Sequence, residues 1–195
     1  MEKIEKIDCY EFMTMEEGEK KDHLRYLISD YCLNNEGSKL FFRSQNYNVD
    51  NAMGTMLKAY RAECVALAVA QSKYPEEKWH FADNYHGYFF LTDEVRNNQP
   101  DLKNIYNETI EVKSYGLGHD YATIFSGYDD LESIYSHTFH NATYVAIVNL
   151  RDRKIAFFDR EHYDKNAEIV EFKKGSNKIM IKNLFILEFS PKIIS

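Results

Sequence analysis

The segment Ile110-Glu111-Val112-Lys113 constrains this chain more than any other. Side chains alternate along a strand, so Ile110 and Val112 project from one face and Glu111 and Lys113 from the other. Thr109 to Tyr115 extends the strand, and Gly116 and Gly118 end it. Such a strand needs a sheet with an apolar layer on one side and room for a carboxylate and an ammonium on the other. An E-x-K pair on a wet face is common surface decoration. It is also what a hydrolytic metal site uses. The carboxylate can hold a hard cation such as Mg²⁺ through oxygen. The ammonium can orient or help deprotonate an attacking water and offset charge developing on a phosphate.

A second carboxylate ten residues earlier sharpens the choice. Pro100-Asp101 can open a strand that pairs with the Glu111 strand, and the connection is short enough for a hairpin to bring Asp101 and Glu111 together. Two carboxylates at one point repel unless a cation lies between them. Pro-Asp is also a common turn starter, and Asn104 and Asn107 make a poor strand. Asp83, ahead of the clearer strand Tyr88–Thr92, is the rival for the same role; Asp101 is the favoured one.

The longest periodic stretch runs from Asn51 to Gln71. Met53, Met56, Leu57, Tyr60, Cys64, Leu67 and Ala68 recur at the spacing of one helical face, predicting a helix over 51–71. Glu63 sits on or beside that apolar stripe. It either marks the stripe edge and reaches water, or it is a carboxylate needing a partner. Thr14-Met15-Glu16-Glu17 fits a capping box, with Leu24, Leu27, Ile28 and Tyr31 behind it, predicting a helix over about 15–33. Trp79–Phe81, Gly87–Thr92, Tyr144–Val148, Lys154–Phe158, Glu168–Phe172 and Ile179–Phe189 read as strands, with a polar loop over Asp93–Gln99 and a turn at Lys174–Asn177. Ser126 to about His137 reads as a helix, with Leu131, Ile134 and Tyr135 inward. The fold class is α/β (α+β).

At this point the residues resemble a family. Helix-borne Glu63, then Pro100-Asp101, then Glu111-Val112-Lys113 looks like the PD-(D/E)xK nuclease superfamily, which includes many type II restriction endonucleases. The resemblance covers roughly residues 50–150. It extends to the order of elements: carboxylate helix, sheet with the acidic pair and lysine, helix, central strand. It implies a mixed central sheet flanked by helices, and a single nuclease-like domain over 1–195 with its catalytic core at about 50–150. It further implies that Asp101 and Glu111 ligate Mg²⁺, that Lys113 positions the water and that Glu63 is an auxiliary carboxylate. The implied activity is Mg²⁺-dependent endonuclease cleavage of double-stranded DNA, by a homodimer. A recombination or repair nuclease of the same superfamily and a noncatalytic binding domain are the alternatives. The asparagine-rich segment between Asp101 and Glu111 departs from the pattern.

Charge and composition fit a nuclease only locally. The chain has 195 residues and a net charge of −7, which argues against a nonspecific grip on nucleic acid over the whole surface. The charge is uneven. Residues 1–36 hold ten acids against five bases, whereas residues 151–195 hold seven acids against ten bases. The late bases offer either a solvated face or an edge that meets a polyanion. No apolar run approaches the length of a membrane span, and the N-terminus lacks a signal-peptide pattern. The three cysteines, Cys9, Cys32 and Cys64, form no metal-type pair. The expectation is a cytoplasmic protein without a membrane partner. The seven histidines make no zinc motif, although His137 and His140 lie three apart.

Overall fold

The computed structural model describes residues 6–83, 85–92, 99–173 and 176–190, except for the side chains of residues 171–176. The protein is an α+β fold with six α-helices and eleven strands among the described residues. Its chain divides into two compact units, one formed by residues 1–60 and 85–97 and the other by 61–84 and 98–195. The sequence pattern predicts a single domain over 1–195.

The first unit is mainly helical. Strand β1 (Lys6–Asp8) leads into α1 (Cys9–Thr14), followed by α2 (Glu19–Asn34), α3 (Glu36–Ser44) and the first half of α4 (Val49–Lys73). Strand β3 (Tyr88–Phe90) pairs antiparallel with β1. The Asp8 carboxylate accepts from the N–H groups of Tyr10 and Glu11, capping α1. The expected Thr14–Glu17 capping box does not form. The Thr14 hydroxyl donates to the Tyr10 carbonyl instead, and Glu17 is taken by Lys21 and Arg25. Two cations outcompete one backbone amide for the carboxylate, so α2 starts at Glu19 rather than at residue 15. Arg25 also grips both oxygens of Asp50 at 2.9 Å, tying α2 to α4. Leu24, Ile28, Cys32, Phe12, Phe42, Met53 and Phe89 fill the core of this unit.

The second unit is built on a six-stranded sheet. Its order is β11 (Ile186–Glu188), β8 (Lys154–Asp159), β7 (Tyr144–Asn149), β5 (Thr109–Lys113), β4 (Leu102–Lys103) and β2 (His80–Phe81). Only β5 and β7 pair in parallel; the other neighbours are antiparallel. Strand β7 is buried over Val145–Val148, as a parallel strand covered on both faces must be. Its side chains divide by alternation. Ala146 and Val148 join Ile110, Val112 and Ile155 against Ala62, Val65, Ala66 and Ala70 of α4. Val145 and Ile147 join the opposite core. There they meet α5 (Leu131–Thr138), α6 (Arg160–Asn166) and a three-stranded sheet ordered β6 (Ala122–Ser126), β10 (Ser176–Ile181), β9 (Ala167–Lys173).

Most predicted elements form, with shifted ends. Helix α5 begins at Leu131 because Asp130 caps it through Ser133. Strand β6 ends at Ser126, the residue where the sequence pattern predicts the helix to open. Helix α6 and strand β6 are unpredicted elements of this unit, and β1, α1 and α3 those of the first. Of the expected turn at Lys174–Asn177, Ser176 and Asn177 belong to β10, while its first half and most of the Asp93–Gln99 loop fall outside the described residues. No described helix is long and apolar enough to cross a membrane.

Candidate metal centre

The hairpin β4–β5 brings the acidic pair together. Leu102 stands opposite Ile110, and Asp101 immediately precedes the short strand. The Asp101 Oδ2 atom accepts the Val112 N–H at 2.7 Å, which locks this carboxylate onto the E-x-K strand. The asparagines between them organise the turn rather than weaken it. Buried Asn104 accepts from the N–H groups of Tyr106 and Glu108 and donates to the Glu108 carboxylate. Asn107 takes a left-handed φ of 63° in the same turn, a conformation asparagine tolerates better than most residues.

Glu111 is buried, with 4% of its side chain exposed. Its Oε1 accepts from Lys113 Nζ at 2.6 Å. Its Oε2 is buried and has no hydrogen-bond partner among the described residues. A buried carboxylate oxygen left in that state is costly. Glu63, half-buried on α4, offers a carboxylate oxygen within 4.8 Å of one from Asp101.

The electrostatics follow from this crowding. Burial, then Glu111 and Glu63, pushes the Asp101 carboxyl well above its ordinary value, against the pull of the Val112 N–H and Lys113. Burial also raises Glu111, with Glu63 adding to it and Lys113 opposing. For Lys113, burial works against the charge, but Glu111 and Asp101 outweigh it and raise the ammonium above its usual value. Asp101 and Glu111 therefore share one lysine in a poorly solvated place, with Glu63 adding its charge to both carboxylates. The donors are hard oxygens, and one of them is orphaned. Asp101 and Glu63, whose carboxylate oxygens approach within 4.8 Å, could hold a divalent cation of the Mg²⁺ kind, with the Glu111 carboxylate acting on both.

The structure thus brings Glu63, Asp101, Glu111 and Lys113 together. Asp83 follows β2, and Glu111 and Glu63 are the carboxylates that weigh most on Asp101. His140, which the sequence offers only as one of a histidine pair without a zinc motif, also comes close. His140 Nε2 lies 3.8 Å from Glu111 Oε1. Burial, then Lys113 and His137, lowers its pKa. His140 and Asn141 both take left-handed φ angles, of 52° and 51°, in the turn from α5 into β7. The Tyr135 hydroxyl donates to the Ala142 carbonyl at 2.8 Å and pins that turn. The sequence shows His140 shortly before a strong strand, but not that this strand lies beside the Glu111 strand.

The late basic residues are partly spoken for. Arg160 pairs with Glu132 and Asp164, Lys165 with Glu161, and Lys182 with Glu168. Arg151 and Arg153 remain exposed in the β7–β8 turn. No family model matches this chain, and neither does any curated protein or any solved structure.

Proposed function

We propose that the second unit is a Mg²⁺-dependent endonuclease centre that hydrolyses phosphodiester bonds of double-stranded DNA, of the restriction type within the PD-(D/E)xK superfamily. The observation that carries this reading is Glu111: a buried carboxylate with one oxygen on Lys113, the other orphaned, and Asp101 locked onto the same strand. A cation would satisfy the orphan and relieve the mutual repulsion of the carboxylates. The order of elements supports the same reading: a carboxylate helix, the antiparallel run β2–β4–β5, helix α5, then β7 parallel to β5.

Asp101 and Glu111 would hold the cation, with Glu63 as the auxiliary carboxylate. Mg²⁺ bound there supplies Lewis-acid stabilisation of the charge that builds on the phosphate. Lys113 stays protonated at neutral pH, because Glu111 and Asp101 hold it so. It therefore serves as a donor that orients the attacking water and as a charge beside the phosphate, not as the base. By analogy with restriction enzymes of this size, the active species is a homodimer on a symmetric site.

The test is incubation of the pure protein with long duplex DNA, with Mg²⁺ and with EDTA. Discrete fragments in Mg²⁺ alone are expected, and they should vanish in Glu111→Ala and Lys113→Ala. Degradation confined to ends or branched structures would point to a repair nuclease of the same chemistry. No Mg²⁺-dependent cleavage, or full cleavage by both variants, refutes the proposal. Sedimentation of the protein with and without a short duplex reads the dimer.

A further inference from the structure

A cavity of about 350 Å³ opens in the second unit where Tyr144 of β7 stands between Ile110 of β5 and Asp159 of β8, with Ala70 of α4 and His162 of α6 also in its lining. Aromatic rings dominate its walls: Trp79, Tyr144, Tyr74 and Phe157, with the carboxylates Glu77 and Asp159 standing among them. Trp79 and Tyr144 meet edge to face, at 6.4 Å between centroids and 73° between planes. The Trp79 Nε1–H donates to Glu77 Oε2 at 2.6 Å, which fixes both the indole and the acid. Asp159 uses Oδ1 to accept the His162 N–H and cap α6. Among the described residues, no lysine or arginine lines it. His162 lines it too, and its Nε2 is engaged with the Lys182 carbonyl at 2.9 Å.

We infer that this cavity is a binding site for a small organic cation, an alkylammonium or quaternary ammonium group. The π-faces and the carboxylates both attract such a group, and the apolar walls accept its methyl groups. The negative field is felt by a neighbouring phenol: burial raises the Tyr144 pKa, and Glu108, Glu77 and Asp159 raise it further. A phosphate would be repelled here, so the site is separate from any DNA contact. Ile110, which lines it, points away from Glu111 on the same strand. The inference therefore stands whether or not the nuclease reading does.

Trp79 is the protein's single tryptophan and lies in the wall, so its fluorescence reports on occupancy directly. The full-length protein is titrated with choline and with 3,3-dimethylbutan-1-ol, its uncharged isostere, following both fluorescence and heat. Saturable binding of choline is expected, with the isostere weaker by about tenfold, the scale of a desolvated cation–π contact. Glu77→Gln and Asp159→Asn keep the Trp79 and α6 hydrogen bonds and should each weaken choline binding several-fold, as should Tyr74→Ala at an exposed wall residue. Equal affinity for the isostere would mean an apolar cavity only and overturns the inference. Absence of any saturable heat or fluorescence change with choline, or variants that bind it as well as the parent, overturns it too.

Discussion

Replacing Asp101 by Asn should destroy cleavage and stabilise the metal-free protein. Asn keeps an oxygen for the Val112 N–H, so the local hydrogen bond survives. What disappears is a carboxylate pressed by Glu111 and Glu63. Two full charges at 4.8 Å, the outer bound for Asp101 and Glu63, repel by about 3.5 kcal/mol at an effective dielectric of about 20. The parent relieves part of this by taking up a proton, so the net gain should be about 1–3 kcal/mol at mildly alkaline pH. For a chain of this size that is about 2–4 °C in Tm per kcal/mol. The pH dependence has a definite sign. The Asp101 and Glu111 carboxyls are raised above their ordinary values in the folded state. Folding therefore favours the protonated forms, and the parent loses stability as pH rises from the ordinary carboxylate range through the raised values. The advantage of Asp101→Asn should be greatest at alkaline pH and close below the ordinary range, where the parent carboxyl is already neutral. Thermal melts in EDTA across that range measure it. Adding Mg²⁺ should raise the Tm of the parent and not that of the variant. A variant less stable than the parent at alkaline pH, or a difference independent of pH, refutes the electrostatic account.

Lys113→Met strands Glu111 in the core and should cost about 3–5 kcal/mol by urea unfolding at neutral pH. Adding Glu111→Leu to it should recover most of that loss, and a double variant no better than the single would contradict the pairing. Asp83→Ala should leave Mg²⁺-dependent cleavage within about twofold of the parent, whereas Asp101→Ala should lower it by at least about a hundredfold; loss at Asp83 alone would reassign the ligand. Tyr135→Phe leaves the Ala142 carbonyl without its donor and should cost about 1–3 kcal/mol in a thermal melt, with an unchanged Tm counting against a role for that bond.

The sequence by itself determined the strand carrying Glu111 and Lys113, the long helix carrying Glu63 and the central strand Tyr144–Val148. Each is written in a short period of apolar residues, and a period needs no distant partner to be read. The elements it missed or misplaced were decided by competition. Thr14 and Glu17 carry a capping pattern, but Lys21 and Arg25 claim the carboxylate. The asparagine-rich stretch looked hostile to a hairpin, yet the buried Asn104 side chain builds its turn. Only the tertiary structure decided that Asp101 is held on the Glu111 strand, that Glu63 comes close to Asp101, and that His140 stands 3.8 Å from Glu111. Those proximities depend on which strands pair and in which register. Pairing joins residues up to dozens of positions apart through backbone hydrogen bonds that every sequence possesses, so no local pattern records it.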